Sequence, residues 1–177
     1  MPRLSVLVRA PHEEKGLAAC LQRLGFADEL VVALDRRNGR QAEIALRFAD
    51  RVVFAASATD SLTACGGDWI FEIGPDEMVG EALAEEIRFV VDSAITTNRF
   101  LVPVETYAGR RLIPDDRKDC APGRWLYRRG AEQLSTDGWL INTLIRPVDV
   151  GRALNPRRLL DALRAALRAH LTLGATE

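Results

Sequence analysis

Residues 69–79, WIFEIGPDEMV, decide how the chain is read. The first five are apolar, β-branched or aromatic with one Glu, the composition of a short strand that packs on a sheet. Gly74 and Pro75 then stop the strand, and Asp76 and Glu77 follow. Two roles fit a carboxylate pair at that place. It can open the next helix, where acidic side chains satisfy free N–H groups and complement the helix dipole. It can also hold a divalent cation against phosphate oxygens, since Mg²⁺ is commonly bound by one or two carboxylates plus substrate phosphates. These residues alone leave both roles open.

Upstream the pattern alternates. LSVLVRA (4–10) is an apolar run of buried-strand type, and in EEKGLAACLQRLG (13–25) Leu17, Cys20, Leu21 and Leu24 recur at helical spacing before Gly25. DELVVALD (28–35) predicts a second strand. RQAEIALRFA (40–49) predicts a helix with Ala42, Ile44, Ala45 and Phe48 inward, and DRVVFA (50–55) a third strand. The small-residue stretch ASATDSLTACGG (56–67) leads to DWIFEI (68–73), and EALAEEIRFVVDSA (81–94) is a clear helix. This alternation predicts an α/β fold with mostly parallel strands. Such sheets bind ligands outside the carboxyl ends of their strands, an edge that would carry residues 9–13, 35–39 and 74–77.

From about Asn98 the pattern changes. RFLVPVETYAGRRL (99–112) and GRWLYRRG (123–130) read as strands on either side of a polar loop, and GWLINTLIRP (138–147) as another extended segment. NPRRLLDALRAALRAHL (155–171) is a strong helix signal, with Asn155 as cap, Pro156 in the first turn, and Leu160, Leu163, Leu167 and Leu171 on one face. A leucine stripe of this kind packs on its own domain or lies on a membrane surface, and the acidic Asp161 favours the first. The organisation expected is one domain over 1–177, with an α/β half (1–97) and a second half (98–177) of strands and the C-terminal helix.

Composition narrows the function. Hydrophobic residues make up 47% of the 177, enough for a core. With 24 Lys plus Arg against 25 Asp plus Glu, the chain lacks the basic excess of a nucleic-acid binder. Cys20, Cys65 and Cys120 have no C-x-x-C spacing, and His12 and His170 are too few for a histidine metal centre. The apolar runs fall short of a membrane span and no signal peptide is evident, so a cytoplasmic protein, at the inner face of the membrane if the last helix binds lipid, is expected.

The segments HEEKGLAACLQRL, ADELVV and GGDWIF with PDE, in that order, resemble the inverting family 2 glycosyltransferases, most closely a short bacterial branch acting on lipopolysaccharide cores and other surface glycans. The resemblance covers about half the chain. It implies a glycosyltransferase A-type α/β fold that transfers a sugar from a nucleotide-sugar donor to a saccharide or lipid-linked acceptor. It implies three donor-site loops. In the first, Glu13 matches the first Glu of an N-E-E pattern and His12 replaces its Asn. In the second, Asp35 would contact the nucleoside half, with Arg36 and Arg37 in place of small polar residues. In the third, Asp76 falls on the second Asp of a D-x-D turn, the usual contact for Mg²⁺ or Mn²⁺, and Glu77 supports the turn.

Gly74 stands where that turn has its first Asp, which removes a carboxylate. Pro75 stiffens the turn. Glu72 has the parity of Gly74 but would need a bent strand end to replace it. On this reading cation capture is weak or donor binding metal-independent, and Gly74→Asp would restore the missing ligand. Arg9, Arg36 and Arg37 are candidates to hold the diphosphate. The catalytic base would come from Glu105, Asp115, Asp116 or Asp119, with Asp116 and Asp119 retained, and Arg124, Trp125 and Tyr127 would line the acceptor side. The alternatives are a catalytically inactive binding or partner protein of the same fold, or a small nucleotidyltransferase or α/β binding protein. No Gly-rich phosphate loop supports the last class.

Overall fold

A computed structural model of the chain describes residues 1–10, 16–37, 39–54, 58–93, 95–113, 123–132 and 138–148. His12, Glu13, Asp115, Asp116, Asp119 and the expected helix over 155–171 lie outside the described residues.

Strand β1 (Leu4–Ala10) is at the centre of the parallel part of the sheet. It pairs in parallel with β2 (Glu29–Leu34) on one side and β4 (Trp69–Ile73) on the other, and β3 (Arg51–Phe54) lies outside β2. β1 and β2 are buried along nearly their whole length, which is why they read as continuous apolar runs instead of alternating ones. One face takes Val6, Val8, Val32, Trp69 and Phe71 into the main core, together with Leu17 and Leu21 of α1 (Leu17–Leu21), Ala42 and Ala45 of α2 (Arg40–Phe48), and Leu83 and Ile87 of α4 (Glu81–Asp92). The other face carries Leu7, Val31, Ile70, Cys65 and Tyr127.

The sheet continues by antiparallel pairing. β7 (Gly123–Arg128) adds to β4, β5 (Arg99–Ala108) adds to β7, and β6 (Arg111–Ile113) adds to β5, giving the order β3-β2-β1-β4-β7-β5-β6. β8 (Gly138–Trp139) and β9 (Leu144–Val148) run parallel to β5.

Four local expectations are corrected. Residues 99–112 form a hairpin, not one strand: Ala108 pairs with Arg111 of β6 (Arg111–Ile113), and Gly109 takes the left-handed φ of 61° that the two-residue turn needs. Residues 138–147 form two strands, because the N–H groups of Ile141 and Asn142 leave the ladder to donate to the Glu86 carboxylate on α4. The small-residue stretch contains a helix, α3 (Ala58–Thr63), that has no apolar periodicity to announce it. Phe48, expected inward, ends α2 and is 37% exposed.

The amino ends of the parallel strands are fastened by polar groups. Ser5 Oγ donates to Glu29 and accepts from Gly67 N–H at 2.7 Å, and Gly66 N–H also donates to Glu29. Gly67 has to be glycine here: a Cβ would lie 2.6 Å from the Ser5 backbone nitrogen and 2.7 Å from the Arg3 carbonyl oxygen. This clasp sets the height at which β4 enters the sheet, and so where its carboxyl end emerges.

Candidate functional site

The chain winds from β1 to β2 to β3 in one direction and then returns to place β4 on the other side of β1. The order reverses between β1 and β4, and at such a reversal the connections diverge and leave a crevice outside the carboxyl ends. Ala10 is level with Leu34 and Val8 with Ile73, so the ends of β2, β1 and β4 lie side by side. Residues 74–77 therefore stand at this reversal.

The turn closes on itself. Glu77 N–H donates to the Gly74 carbonyl at 3.3 Å, and Gly74 N–H donates to Glu77 Oε2 at 2.7 Å. Glu77 is fully buried. Arg124, delivered by β7 from beside β4, donates from Nε to both Glu77 oxygens at 2.9 and 2.7 Å. Arg146 of β9 donates from Nη2 to Oε1. β9 is held in place by a reciprocal backbone pair between Met78 and Ile145, at 2.8 and 3.1 Å. Burial by itself pushes the Glu77 carboxyl up. The hydrogen bonds and charge of Arg124, the Gly74 N–H and Arg146 outweigh that and hold it below the ordinary carboxylate value. Glu77 is thus a buried carboxylate kept ionised by two guanidinium groups. It supports the turn, as expected, and caps no helix: α4 begins at Glu81 with Gly80 as N-cap and no side-chain cap.

Two further contacts brace the turn. Gly16, at a left-handed φ of 92°, lies so close that a Cβ would be 3.1 Å from the Pro75 carbonyl oxygen. Cys20 Sγ donates to the Gly74 carbonyl at 3.6 Å. Burial, then the charges of Glu77 and Asp76, push the Cys20 thiol up to about 12, so it serves as a packed, unreactive group.

Asp76 is the exposed member of the pair. Its side chain is 39% exposed, and Oδ2 lies 3.7 Å from Arg146 Nε. The described residues do not fit a divalent cation at this place. Hard cations need several oxygen ligands. Gly74 supplies none, both Glu77 oxygens are taken, and Asp76 faces a guanidinium. Among the described residues no three His, Cys, Asp or Glu side chains are grouped to hold a metal. The place of the missing carboxylate is also filled. A Cβ on Gly74 would lie 2.9 Å from Asp76 Oδ1 and 3.1 Å from Arg124 Nη2. The expectation that Asp76 binds Mg²⁺ or Mn²⁺ finds no grouped ligand set among the described residues.

Glu72 is committed elsewhere. It pairs with Arg9 at 2.6 Å and accepts the Tyr127 hydroxyl proton. Arg9 therefore reaches the crevice already paired, with its Nε buried and without a hydrogen-bond partner among the described residues. Tyr127, expected on an acceptor surface, is 1% exposed, and burial together with Glu72 raises its hydroxyl pKa. Trp125 lies under the Arg99 guanidinium, 3.9 Å from the ring centroid. Asp35 is exposed immediately past β2. Arg37 stacks on Phe54 of β3, 5.0 Å from the ring centroid, on the far side of β1 from the turn. The sheet thus brings Arg9, Asp35 and Asp76 to neighbouring strand ends and leaves Arg37 further out. Sequence reasoning missed Arg146. Its signal is the single charged residue in LINTLIRP.

No family model matches the chain, and no curated protein matches it. Solved structures do. Residues 1–349 of S. aureus TarS match at 16% identity and a TM-score of 0.52, over 71% of this chain and 47% of that one. The mannosyltransferase PcManGT from Pyrobaculum calidifontis, in complex with GDP-Man and Mn²⁺, matches at 12% identity and a TM-score of 0.51, over 76% and 47%. Glucosyl-3-phosphoglycerate synthase from Mycobacterium tuberculosis, in complex with Mn²⁺, UDP and glucosyl-3-phosphoglycerate, matches at 16% and 0.51, over 73% and 57%. The chain spans about half the length of these structures. The likeness shows the fold: the α/β mixed sheet of the glycosyltransferase A type.

Proposed function

We propose that the protein takes a nucleotide-sugar in the crevice between the carboxyl ends of β1 and β4 and transfers its sugar, with inversion, to a saccharide or lipid-linked acceptor. The observation that carries this reading is the arginine-braced turn of residues 74–77 at the strand-order reversal of a glycosyltransferase A-type sheet. In the reaction the acceptor hydroxyl oxygen bonds to the anomeric carbon. The bond from that carbon to the diphosphate oxygen breaks, and the nucleoside diphosphate leaves with the bonding pair. The hydroxyl proton passes to a carboxylate, for which we retain Asp116 and Asp119. We assign the nucleoside half of the donor to Asp35, and a role beside the diphosphate to Arg9 and the loop carrying His12 and Glu13.

A second reading, a donor-binding protein that does not turn over, is favoured by one observation: Glu77 is saturated by arginines and offers nothing to a substrate. Two measurements separate the readings. A thermal-shift series with UDP, GDP and their sugar conjugates tests for a site, since ligand binding stabilises in a concentration-dependent way. Release of nucleoside diphosphate from the stabilising sugar nucleotide, in the presence of oligosaccharide and polyprenyl-linked acceptors, tests for transfer. Stabilisation without release supports the non-catalytic reading. No shift with any of them contradicts both.

A further inference from the structure

We infer that the diphosphate of the donor is bound directly by Arg124 and Arg146, with no divalent cation between protein and phosphate; this rests on the donor-binding reading above. Three observations carry it.

The first is charge. Two guanidinium groups share one buried carboxylate, Glu77, and one negative charge cannot neutralise both. The remaining carboxylate, Asp76, is only loosely engaged, 3.7 Å from Arg146 Nε. Counting Asp76, the two guanidinium groups meet two carboxylates, so a phosphate oxygen that takes the place of Asp76 meets a positive charge. A cation placed beside Asp76 would meet two guanidinium groups at close range, where like charges repel.

The second is geometry. Arg124 makes both its hydrogen bonds to Glu77 through Nε, so no described residue accepts one from its Nη groups. Nη2 lies 3.1 Å from the position a Cβ on Gly74 would take, and the Arg124 side chain is 37% exposed. The outer edge of a guanidinium matches two phosphate oxygens at once.

The third is rigidity. Both arginines are fixed before any ligand arrives: Arg124 by β7 and Glu77, Arg146 by Glu77 and by the backbone pair of Met78 with Ile145. Groups already ordered lose less entropy on binding.

The test uses the full chain and titrates UDP, GDP and inorganic pyrophosphate, in EDTA and then with Mn²⁺, against wild type, Asp76→Asn and Arg146→Gln. The expected result is binding in EDTA that Mn²⁺ strengthens by no more than about twofold, the edge of what such a titration resolves. Asp76→Asn, an exposed position where folding is not at stake, should bind several-fold tighter, because the carboxylate competing for Arg146 is gone. Arg146→Gln should bind about tenfold weaker, the loss of roughly one charged hydrogen bond. Binding seen only with Mn²⁺ and abolished by Asp76→Asn would overturn this inference and leave the donor-binding reading standing. Unchanged affinity in Arg146→Gln would also overturn it. Absence of binding by every nucleotide, with and without Mn²⁺, would remove the donor-binding reading itself.

Discussion

Arg124 and Glu77 stand 47 positions apart in the chain, and in the folded protein Arg124 Nε lies 2.9 and 2.7 Å from the two Glu77 oxygens. The pair fastens β7 to the turn that ends β4, and so joins the parallel half of the sheet to the antiparallel half at the proposed donor crevice. Removing the carboxylate should cost more than one contact. Glu77→Ala leaves two arginines facing each other and Gly74 N–H without its acceptor. We expect a loss of about 3 kcal/mol, the lower end of the range for breaking a buried pair, because Arg124 and Arg146 keep partial access to water. Urea unfolding of the variant measures it. A loss under about 1 kcal/mol, within the range of an ordinary surface pair, would show that the clasp is not structural.

The same carboxylate makes stability depend on pH. Glu77 and Glu29 are both pushed up by burial, yet held below their ordinary 4.5, Glu77 by Arg124, Gly74 and Arg146, and Glu29 by Ser5, Gly66 and Arg51. Groups with depressed folded-state values stabilise fully above the unfolded value, and that contribution is lost as pH falls through the folded one. Unfolding free energy should therefore be level from about pH 7 to pH 5 and drop steadily below about pH 4.5. Glu77→Gln, folded but weaker, should show a shallower drop. An unchanged slope in that variant would assign the acid sensitivity to other groups.

Restoring the carboxylate that the turn lacks should not restore a metal site. Gly74→Asp would set a Cβ 2.9 Å from Asp76 Oδ1 and 3.1 Å from Arg124 Nη2, and its new charge would draw Arg124 away from the crevice. We expect weaker binding of pyrophosphate in EDTA, no gain from Mn²⁺, and a lower melting temperature. Tighter Mn²⁺-dependent binding of UDP or GDP by this variant would show that the turn accepts a second metal ligand after all.

At the other end of the sheet the prediction is steric. Gly67→Ala forces a methyl against the backbone of Ser5 and Arg3, which cannot swing aside as a side-chain end could. Overpacking of this kind typically costs about 1–3 kcal/mol. Thermal unfolding of Gly67→Ala against Gly66→Ala reads it. Gly66 is the milder site, since the nearest atoms are Glu29 oxygens at 3.2 Å. Equal losses would remove the steric argument.

β1 and β2 were legible because they are buried on both faces, so LSVLVRA and ELVVAL show uninterrupted apolar runs of strand length. The strand ends Arg9, Asp35 and Gly74 were legible for a topological reason: they follow from the alternation of strand and helix. The chemistry at the turn was not. Asp76 and Glu77 look alike in sequence, but one is 39% exposed and the other fully buried. What separates them is Arg124 and Arg146, brought in from later strands. Arg146 comes from 69 residues beyond Glu77 in a segment with no periodic pattern. The helix α3 carries no periodic signal, because Leu62 is its only large apolar side chain.

The most direct measurement of the central claim, that guanidinium groups take the place of a metal at this turn, is a crystal structure of the protein with UDP or GDP grown in the presence of Mn²⁺. The account predicts diphosphate oxygens within about 2.7–2.9 Å of Arg124 Nη and of Arg146, the spacing of charge-assisted hydrogen bonds, with Asp76 turned away and no ion beside it. A Mn²⁺ ion coordinated by Asp76 and bridging to the phosphates, with Arg124 and Arg146 still turned wholly to Glu77, would contradict it.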